Sequence, residues 1–267
     1  MYMKWSDLKW IVLRSRRSFR KRLFRRHRLN HDIIALDITF RCNLKCFNCN
    51  RSCRQAPSDE TMTVPQVEKF IGETVAQNRT WKEIKIEGGE PTLHPDFFEV
   101  VELLREFKAS HASDTKISVS TNGFGVEVQG VLARLPKDII VYNSGKDSPV
   151  RDEFYAFNVA PVDLDRYRNS DFTRACDIPF YFGIGLGPYG YYPCSVSPGI
   201  DRVFGLDLGR KQMPHKGDPM AGQLKTFCGL CGHFIPFNLA GGRDMISPTW
   251  VTAYRTYQTE RPRLTLY

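Results

Sequence analysis

Three cysteines, Cys42, Cys46 and Cys49, lie within eight residues of the sequence. Thiolates are soft ligands that bind zinc or iron–sulfur clusters. A closed zinc site uses four protein ligands, and a four-iron cluster is usually held by four cysteines. Three thiols on one loop would therefore leave one iron of such a cluster open to a small molecule. Because Cys53 follows Cys49 by four residues, a four-thiol zinc knuckle is the alternative.

A second motif, Gly88-Gly89-Glu90-Pro91, follows a predicted strand. Paired glycines let the main chain approach a ligand closely, and Glu90 offers a carboxylate to a cationic amine. The alternative is a Gly-Gly turn with a surface glutamate. A third motif, Ser120-Thr121-Asn122-Gly123, ends another predicted strand, and Asn-Gly by itself is typical of a turn.

The order Cys-x3-Cys-x2-Cys, predicted helix, predicted strand, Gly-Gly-Glu-Pro resembles the radical S-adenosylmethionine (SAM) superfamily. The resemblance implies that Cys42, Cys46 and Cys49 hold a catalytic [4Fe–4S] cluster whose open iron binds SAM. One electron from that cluster would cleave SAM to a 5′-deoxyadenosyl radical. The resemblance also implies SAM contacts for Gly88, Gly89, Glu90, Ser120 and Asn122. The family usually has an aromatic residue just before the third cysteine, whereas here Asn48 holds that position and Phe47 precedes it.

Four further cysteines, Cys176, Cys194, Cys228 and Cys231, form a separate group. The first two flank a stretch that predicts a β-hairpin, and the last two form a Cys-x2-Cys pair. Four thiolates suit zinc or a fully ligated [4Fe–4S] cluster. After a radical SAM core, the order resembles the twitch appendage, a short relative of the SPASM domain that carries one auxiliary cluster. The layout is closest to that of the aminocyclitol dehydrogenases.

Predicted strands alternate with predicted helices from Ile33 onwards, which indicates βαβ units and a parallel sheet. The strands are predicted at 33–39, 83–86, 116–120, 139–142 and 154–159. The resemblance implies an α/β fold, a partial (β/α) barrel with about five or six parallel strands, plus a small auxiliary Fe–S domain containing the hairpin. The predicted domains are a basic helix at 1–31, the partial barrel at 32–170, the twitch-like domain at 171–235 and a tail at 236–267.

Composition places the chain among globular proteins and argues against secretion. The content is 42% hydrophobic and 25% charged, and the eight cysteines come in clusters that favour metal binding over disulfides. No signal peptide and no run of about 20 apolar residues is present. These features predict a cytoplasmic protein.

The net charge of +9 is concentrated at the amino end, where residues 1–31 hold eleven Lys or Arg and one acid. Apolar residues recur there at helical spacing, which predicts a basic amphipathic helix. Three roles stay open: packing on the body, association with an anionic membrane surface, or binding of nucleic acid, which is less favoured. An organellar transit peptide is a further alternative.

The sequence predicts oxidation of a small polar substrate, such as a carbinol of a sugar or cyclitol, with an auxiliary cluster as electron acceptor. Peptide maturation or epimerisation is the alternative within the superfamily, and a zinc protein that binds nucleic acid is the alternative outside it.

A reductant such as flavodoxin or ferredoxin is the expected partner. Candidate substrate residues are Asn143, Ser144, Gly145, Lys146, Asp147, Arg151, Asp152 and Glu153. Cys53 is left with packing or no role.

Overall fold

The computed structural model describes residues 29–150, 157–173, 176–235 and 246–267. Most of the predicted basic helix lies outside the described residues. So do the candidate substrate residues Arg151, Asp152 and Glu153 and half of the strand predicted at 154–159. Among the described helices, none is both long enough and apolar enough to cross a membrane.

Six strands of the described chain form one sheet in the order β4-β3-β2-β1-β5-β6. The neighbours from β4 to β5 are parallel, and β6 is antiparallel to β5. The mixed α/β class and the mostly parallel sheet confirm the predicted radical SAM type of fold. The strands are β1 (Ile33–Asp37), β2 (Glu83–Glu87), β3 (Lys116–Thr121), β4 (Ile140–Asn143), β5 (Ile184–Gly187) and β6 (Gly190–Tyr192).

Helices connect the parallel strands. The first begins with a capping box, in which Thr63 accepts from the main-chain N–H of Gln66 and Gln66 accepts from that of Thr63. Pro65 lies in its first turn, where the fixed φ of proline suits a helix and its missing N–H is not needed. The helices are α1 (Val64–Ala76), α2 (Phe97–His111), α3 (Val126–Leu132), α4 (Ile178–Tyr181), α5 (Ser197–Phe204), α6 (Ala221–Leu230) and α7 (Pro248–Glu260).

The two faces of the sheet differ in polarity. Alternate side chains point to opposite faces of a strand, and Ile34, Leu36, Ile84 and Ile86 lie in the apolar core with α1 and α2. The strand positions between them are polar at the carboxyl ends of β1 and β2, where Asp37 pairs in register with Glu87. In open parallel sheets, ligands bind at the carboxyl ends of the strands. The polar end of this sheet is therefore where a site is expected.

The predicted hairpin is present as β5 and β6, but it starts later than expected. Phe180 and Tyr181 were expected in its first strand and instead lie in α4, because Pro179 suits the first turn of a helix. Since β5 pairs with β1, the hairpin extends the main sheet. A second core, around Trp250 and Phe227, joins α5, α6 and α7.

Candidate active site

The loop after β1 carries the first three cysteines. Cys46 is buried, whereas Cys42 and Cys49 are partly exposed. Asn48, directly before Cys49, is buried and has φ +51°, a conformation that asparagine tolerates better than an aromatic residue does. The Phe47 ring lies under Arg54, whose guanidinium carbon is 3.6 Å from the ring centroid. The departure from the family pattern therefore has a local backbone reason.

Gly88 and Gly89 lie against the chain that leads into this loop. A Cβ on Gly88 would come within 2.4 Å of the Thr39 oxygen, and one on Gly89 within 2.3 Å of the Arg41 oxygen. The Gly89 N–H donates to Thr39 O at 2.8 Å, and the Glu90 N–H donates to Arg41 O at 2.8 Å. The close approach expected of these glycines is thus to residues 39–41. They fix the Gly-Gly-Glu segment beside the cysteine loop.

The Glu90 carboxylate is buried and held by the protein. Oε1 accepts from Thr92 Oγ1 at 2.7 Å, from Thr92 N at 3.3 Å and from Thr121 Oγ1 at 2.8 Å, and Oε2 accepts from Asn122 N at 2.7 Å. Burial raises the pKa of Glu90, and these hydrogen bonds oppose the rise. Because a carboxylate offers about four lone-pair sites, two on each oxygen, Oε2 retains capacity for another donor.

Asn122 joins the three motifs. Its main-chain N–H binds Glu90, and its Nδ2 donates to Asn43 Oδ1 at 2.9 Å and lies 4.0 Å from Cys42 Sγ. Ser120, the other residue predicted from this motif, donates from Oγ to Glu87 Oε1 at 3.2 Å. The three sequence motifs therefore meet at the carboxyl ends of β1, β2 and β3.

Two thiols of this loop, those of Cys42 and Cys49, have a lowered pKa, whereas the contacts and burial of Cys53 raise its pKa. A hydrogen bond with Cys53 is the main cause that lowers the pKa of Cys42, and the same kind of contact lowers the pKa of Cys49 to about 6. Metal ligation requires the thiolate form. The buried Asn48 Nδ2 also has no hydrogen-bond partner among the described atoms, and cluster sulfurs accept such bonds. Both observations fit a cluster held by Cys42, Cys46 and Cys49.

A buried ion network lies next to this loop. Arg51 donates from Nη2 to Asp37 Oδ1 at 3.0 Å and to Glu87 Oε2 at 2.6 Å. Burial raises the pKa of Asp37 to about 7, against the opposing effect of Arg51. The Arg51 carbonyl in turn accepts from Arg202 Nη2 at 3.0 Å. The network fixes the end of the cysteine loop to β1 and β2 on one side and to α5 on the other.

The second group of thiols is gathered from three places in the chain. Cys194 follows β6, Cys228 lies in the last turn of α6 and Cys231 follows that helix. Burial, and then charge repulsion from Cys176, Cys194 and Cys231, raises the pKa of Cys228 well above its usual value. Burial and the charges of Cys176 and Cys194 do the same to Cys231. The charges of these thiols act on one another, so the second group of cysteines lies in one part of the structure.

Among the described residues, no three His, Cys, Asp or Glu side chains are arranged to hold a single metal ion.

The candidate substrate loop after β4 is hydrogen-bonded to the site. The Lys146 N–H donates to Asn122 O at 2.9 Å, and Ser144 Oγ donates to Thr121 O at 3.0 Å. The Lys45 N–H donates to Pro149 O at 2.7 Å, and this hydrogen bond joins the substrate loop to the cysteine loop.

Sequence reasoning missed the roles of Asp37, Arg51, Glu87 and Arg202. The sequence did contain a signal for Asp37, because Asp37 is the single acid in an otherwise apolar strand. Arg202 has no such signal, since two of its partners are main-chain carbonyls more than 140 residues away in sequence and the third is the hydroxyl of Tyr257.

Residues 36–152 match the model of the radical SAM superfamily. The chain carries a radical SAM domain. A GTP 3′,8-cyclase of Haemophilus ducreyi is 36% identical over 103 residues, which cover 38% of this chain and 29% of that enzyme. A probable GTP 3′,8-cyclase of Methanocaldococcus jannaschii is 35% identical over 94 residues, 35% of this chain and 29% of that protein. The match thus spans less than a third of these relatives.

A solved structure of BtrN in complex with AdoMet and 2-DOIA covers 76% of this chain and 93% of its own, at 12% identity and a TM-score of 0.44. An open form of BtrN gives a TM-score of 0.41 at 12% identity. These scores are too low to support an argument about fold or substrate. The radical SAM assignment rests on the matched domain and on the parallel sheet.

Proposed function

We propose that this protein is a radical SAM enzyme that oxidises a small polar substrate. The observation that carries the radical SAM activity is the meeting of three motifs at Asn122, which contacts the carboxylate of Glu90, the side chain of Asn43 and the sulfur of Cys42. A site for SAM needs both an iron with an open position and a group for the amino end of SAM. Those two requirements lie side by side here.

Cys42, Cys46 and Cys49 would hold the catalytic [4Fe–4S] cluster. When bound, the cluster supplies one electron to SAM, whose cleavage yields the 5′-deoxyadenosyl radical. Glu90 would accept a hydrogen bond from the SAM amino group at the position left on Oε2. Gly88 and Gly89 would place that carboxylate, and Ser120 and Asn122 would border the SAM site.

The second thiol group supports an oxidation in particular. Removal of a hydrogen atom from a carbinol carbon leaves a substrate radical, which becomes a carbonyl when a base takes the hydroxyl proton and an acceptor takes the remaining electron. An auxiliary cluster held by Cys176, Cys194, Cys228 and Cys231 would be that acceptor. These thiols are the basis for the proposed twitch-like region at 171–235.

Two further activities compete with this proposal. Relatives named GTP 3′,8-cyclase favour a cyclisation, but their similarity covers only 38% of this chain or less and leaves the substrate open. Peptide maturation or epimerisation stays an alternative on the same chemistry. A flavodoxin or ferredoxin would deliver the first electron, and the basic residues 1–31 would contact an anionic membrane surface.

The test of the radical chemistry is the release of 5′-deoxyadenosine. Anaerobically reconstituted protein, mixed with SAM and dithionite, should form it. Changing Cys42, Cys46 and Cys49 together to Ala should abolish it and leave roughly half of the iron, that of the second cluster. The variant Ser110→Ala, an exposed change in α2, is the control and should cleave SAM normally. Unchanged cleavage in the triple variant would refute the assignment.

A further inference from the structure

The cysteine loop buries a side-chain amide directly before its third thiol. Asn48 is 2% exposed, whereas its neighbour Phe47 is partly exposed. The Asn48 Nδ2 is buried and donates no hydrogen bond to any described atom. A buried N–H without an acceptor costs free energy, so most such groups in folded proteins have a partner.

The local structure fixes this arrangement. Arg54 covers the Phe47 ring, with its guanidinium carbon 3.6 Å from the ring centroid, and donates from Nη1 to Lys45 O at 3.0 Å. Asn48 has φ +51°, a conformation that asparagine adopts more readily than most residues do. The loop therefore holds the aromatic ring under an arginine and leaves the polar amide buried next to Cys49.

Other amides near these thiols have partners of their own. Asn43 Nδ2 donates to Phe124 O at 2.6 Å, and Asn122 Nδ2 donates to Asn43 Oδ1 at 2.9 Å. Asn50 is partly exposed and so can reach water. Among these four described amides, that of Asn48 is the one whose donor needs an acceptor that the protein does not provide.

The open space beside the loop does not supply that acceptor. A polar cavity of about 370 Å³ borders Cys42, Asn43 and Lys45. Neither Asn48 nor Cys49 is among the residues that line it. A small molecule in the cavity is thus separated from Asn48, whereas a cluster bound to Cys49 would be its neighbour, because the two residues are consecutive.

We propose that Asn48 donates a hydrogen bond from Nδ2 to a sulfur of the catalytic cluster and thereby makes the cluster easier to reduce. This inference rests on the proposed function. The reduced cluster carries one more negative charge than the oxidised one, and hydrogen bonds become stronger as the charge of the acceptor grows. The donor therefore stabilises the reduced form, and hydrogen bonds to sulfur are among the features that set the reduction potential of such clusters. Asn48 acts through the cluster and is a positioning residue.

The test is the reduction potential of the catalytic cluster. An anaerobic redox titration of the reconstituted protein follows the electron paramagnetic resonance signals of the reduced clusters, and the signal that changes shape when SAM is added belongs to the catalytic one. Asn48→Gly removes the amide and tolerates a positive φ. We expect the ratio of reduced to oxidised cluster at a fixed potential to fall about tenfold in this variant, which is a shift of about 59 mV to more negative potential.

The matched control is Asn78→Gly, which changes an exposed asparagine with φ +47° just after α1 and should leave the potential unchanged. A wild-type potential in Asn48→Gly would overturn the proposal.

A second variant separates the lost donor from a disturbed backbone. Asn48→Ala also lacks the amide, but alanine is disfavoured at φ +51°, where glycine is not. Both variants should therefore show the same shift in potential, although Asn48→Ala should be the less stable of the two in chemical denaturation. A shift in Asn48→Ala alone would mean that the backbone sets the potential and would refute the role of the amide.

The outcomes separate this inference from the function on which it rests. SAM cleavage by the wild type, together with an unchanged potential in Asn48→Gly, would leave the radical SAM activity intact and contradict the role of Asn48. A weaker affinity for SAM at an unchanged potential would place the amide against SAM and would also refute the inference. A protein that binds no cluster would refute both the inference and the proposed function.

Discussion

The two thiol groups of this protein differ in how they are held and in what they are prepared to bind. Cys42, Cys46 and Cys49 come from one short loop, and the pKa of Cys42 and that of Cys49 are lowered by a neighbouring thiol. The second group is collected from three elements, and burial raises the pKa of Cys228 and Cys231. The first group is adjacent to a polar cavity, whereas Cys231 lies within the aromatic second core.

For the two proposed clusters, this difference would separate a centre that exchanges a ligand from one that stays fully bound by protein. A metal centre that exchanges a ligand with a substrate needs space and polar neighbours, and both are present beside Cys42. A centre that only accepts an electron is best enclosed by protein ligands on every side. Ionising a buried thiol costs free energy, and the raised pKa values of the second group reflect that cost. A positively charged metal cluster that stays bound would therefore stabilise these thiolates most.

The two groups meet at Arg51. A Cβ on Gly199 of α5 would come within 3.0 Å of the Arg51 Cα, so the segment after Cys194 packs directly on the segment after Cys49. The charge of Arg51 also favours the thiolate of both Cys49 and Cys194, although burial raises the pKa of Cys194 overall. Close contact of this kind is what electron transfer from a substrate site to an auxiliary cluster would need.

The strongest test of the comparison removes the second group alone. Cys228→Ala with Cys231→Ala should eliminate about half of the iron and abolish turnover of the substrate, while 5′-deoxyadenosine release stays detectable. Iron analysis and chromatography of the SAM products give the two readouts. Lys225→Ala, an exposed change in the same helix, is the control. Loss of SAM cleavage in a folded double variant would mean that the two groups do not work separately.

Arg51 provides the second test, because it joins the regions. Arg51→Met leaves Asp37 and Glu87 as buried acids without their cation, and we expect a loss of about 3–5 kcal/mol in the free energy of unfolding. Chemical denaturation of the iron-free protein measures this loss.

The matched control is Arg105→Met, which breaks the more exposed pairs with Glu102 and Asp138 and should change the free energy of unfolding little, because water screens these charges. Similar losses in both variants would show that the buried network is not what holds the loop to the sheet.

The smallest expected effect concerns Glu90. Glu90→Gln keeps the shape of the side chain but removes the charge, and it should weaken SAM binding by about 2 kcal/mol, or about thirtyfold. Equilibrium dialysis of SAM against the reconstituted protein is the measurement. Glu99→Gln, which changes an exposed acid in the first turn of α2, is the control. Equal SAM affinity in wild type and Glu90→Gln would show that Glu90 does not bind the amino group of SAM.

The sequence by itself determined the fold class and the positions of the motifs. Alternating strand and helix patterns locate β1 to β4 and the helices between them to within a few residues, because each has a local signal such as Pro65 at a helix start. The cysteine spacings likewise name both thiol groups without any structure. The start of the hairpin was wrong, because the local signal of Pro179 was not given weight against the aromatic run that follows it.

Only the tertiary structure decided what surrounds those motifs. Gly88 and Gly89 are required by the approach of residues 39–41, and the segment 52–56 after the cysteine loop is held by hydrogen bonds from Tyr254 of α7 and Arg202 of α5. These contacts join residues far apart in the chain, and their donors are ordinary arginines, serines and tyrosines. A sequence pattern reports spacing along one element, whereas a buried charge or thiol takes its properties from whatever the whole fold packs beside it.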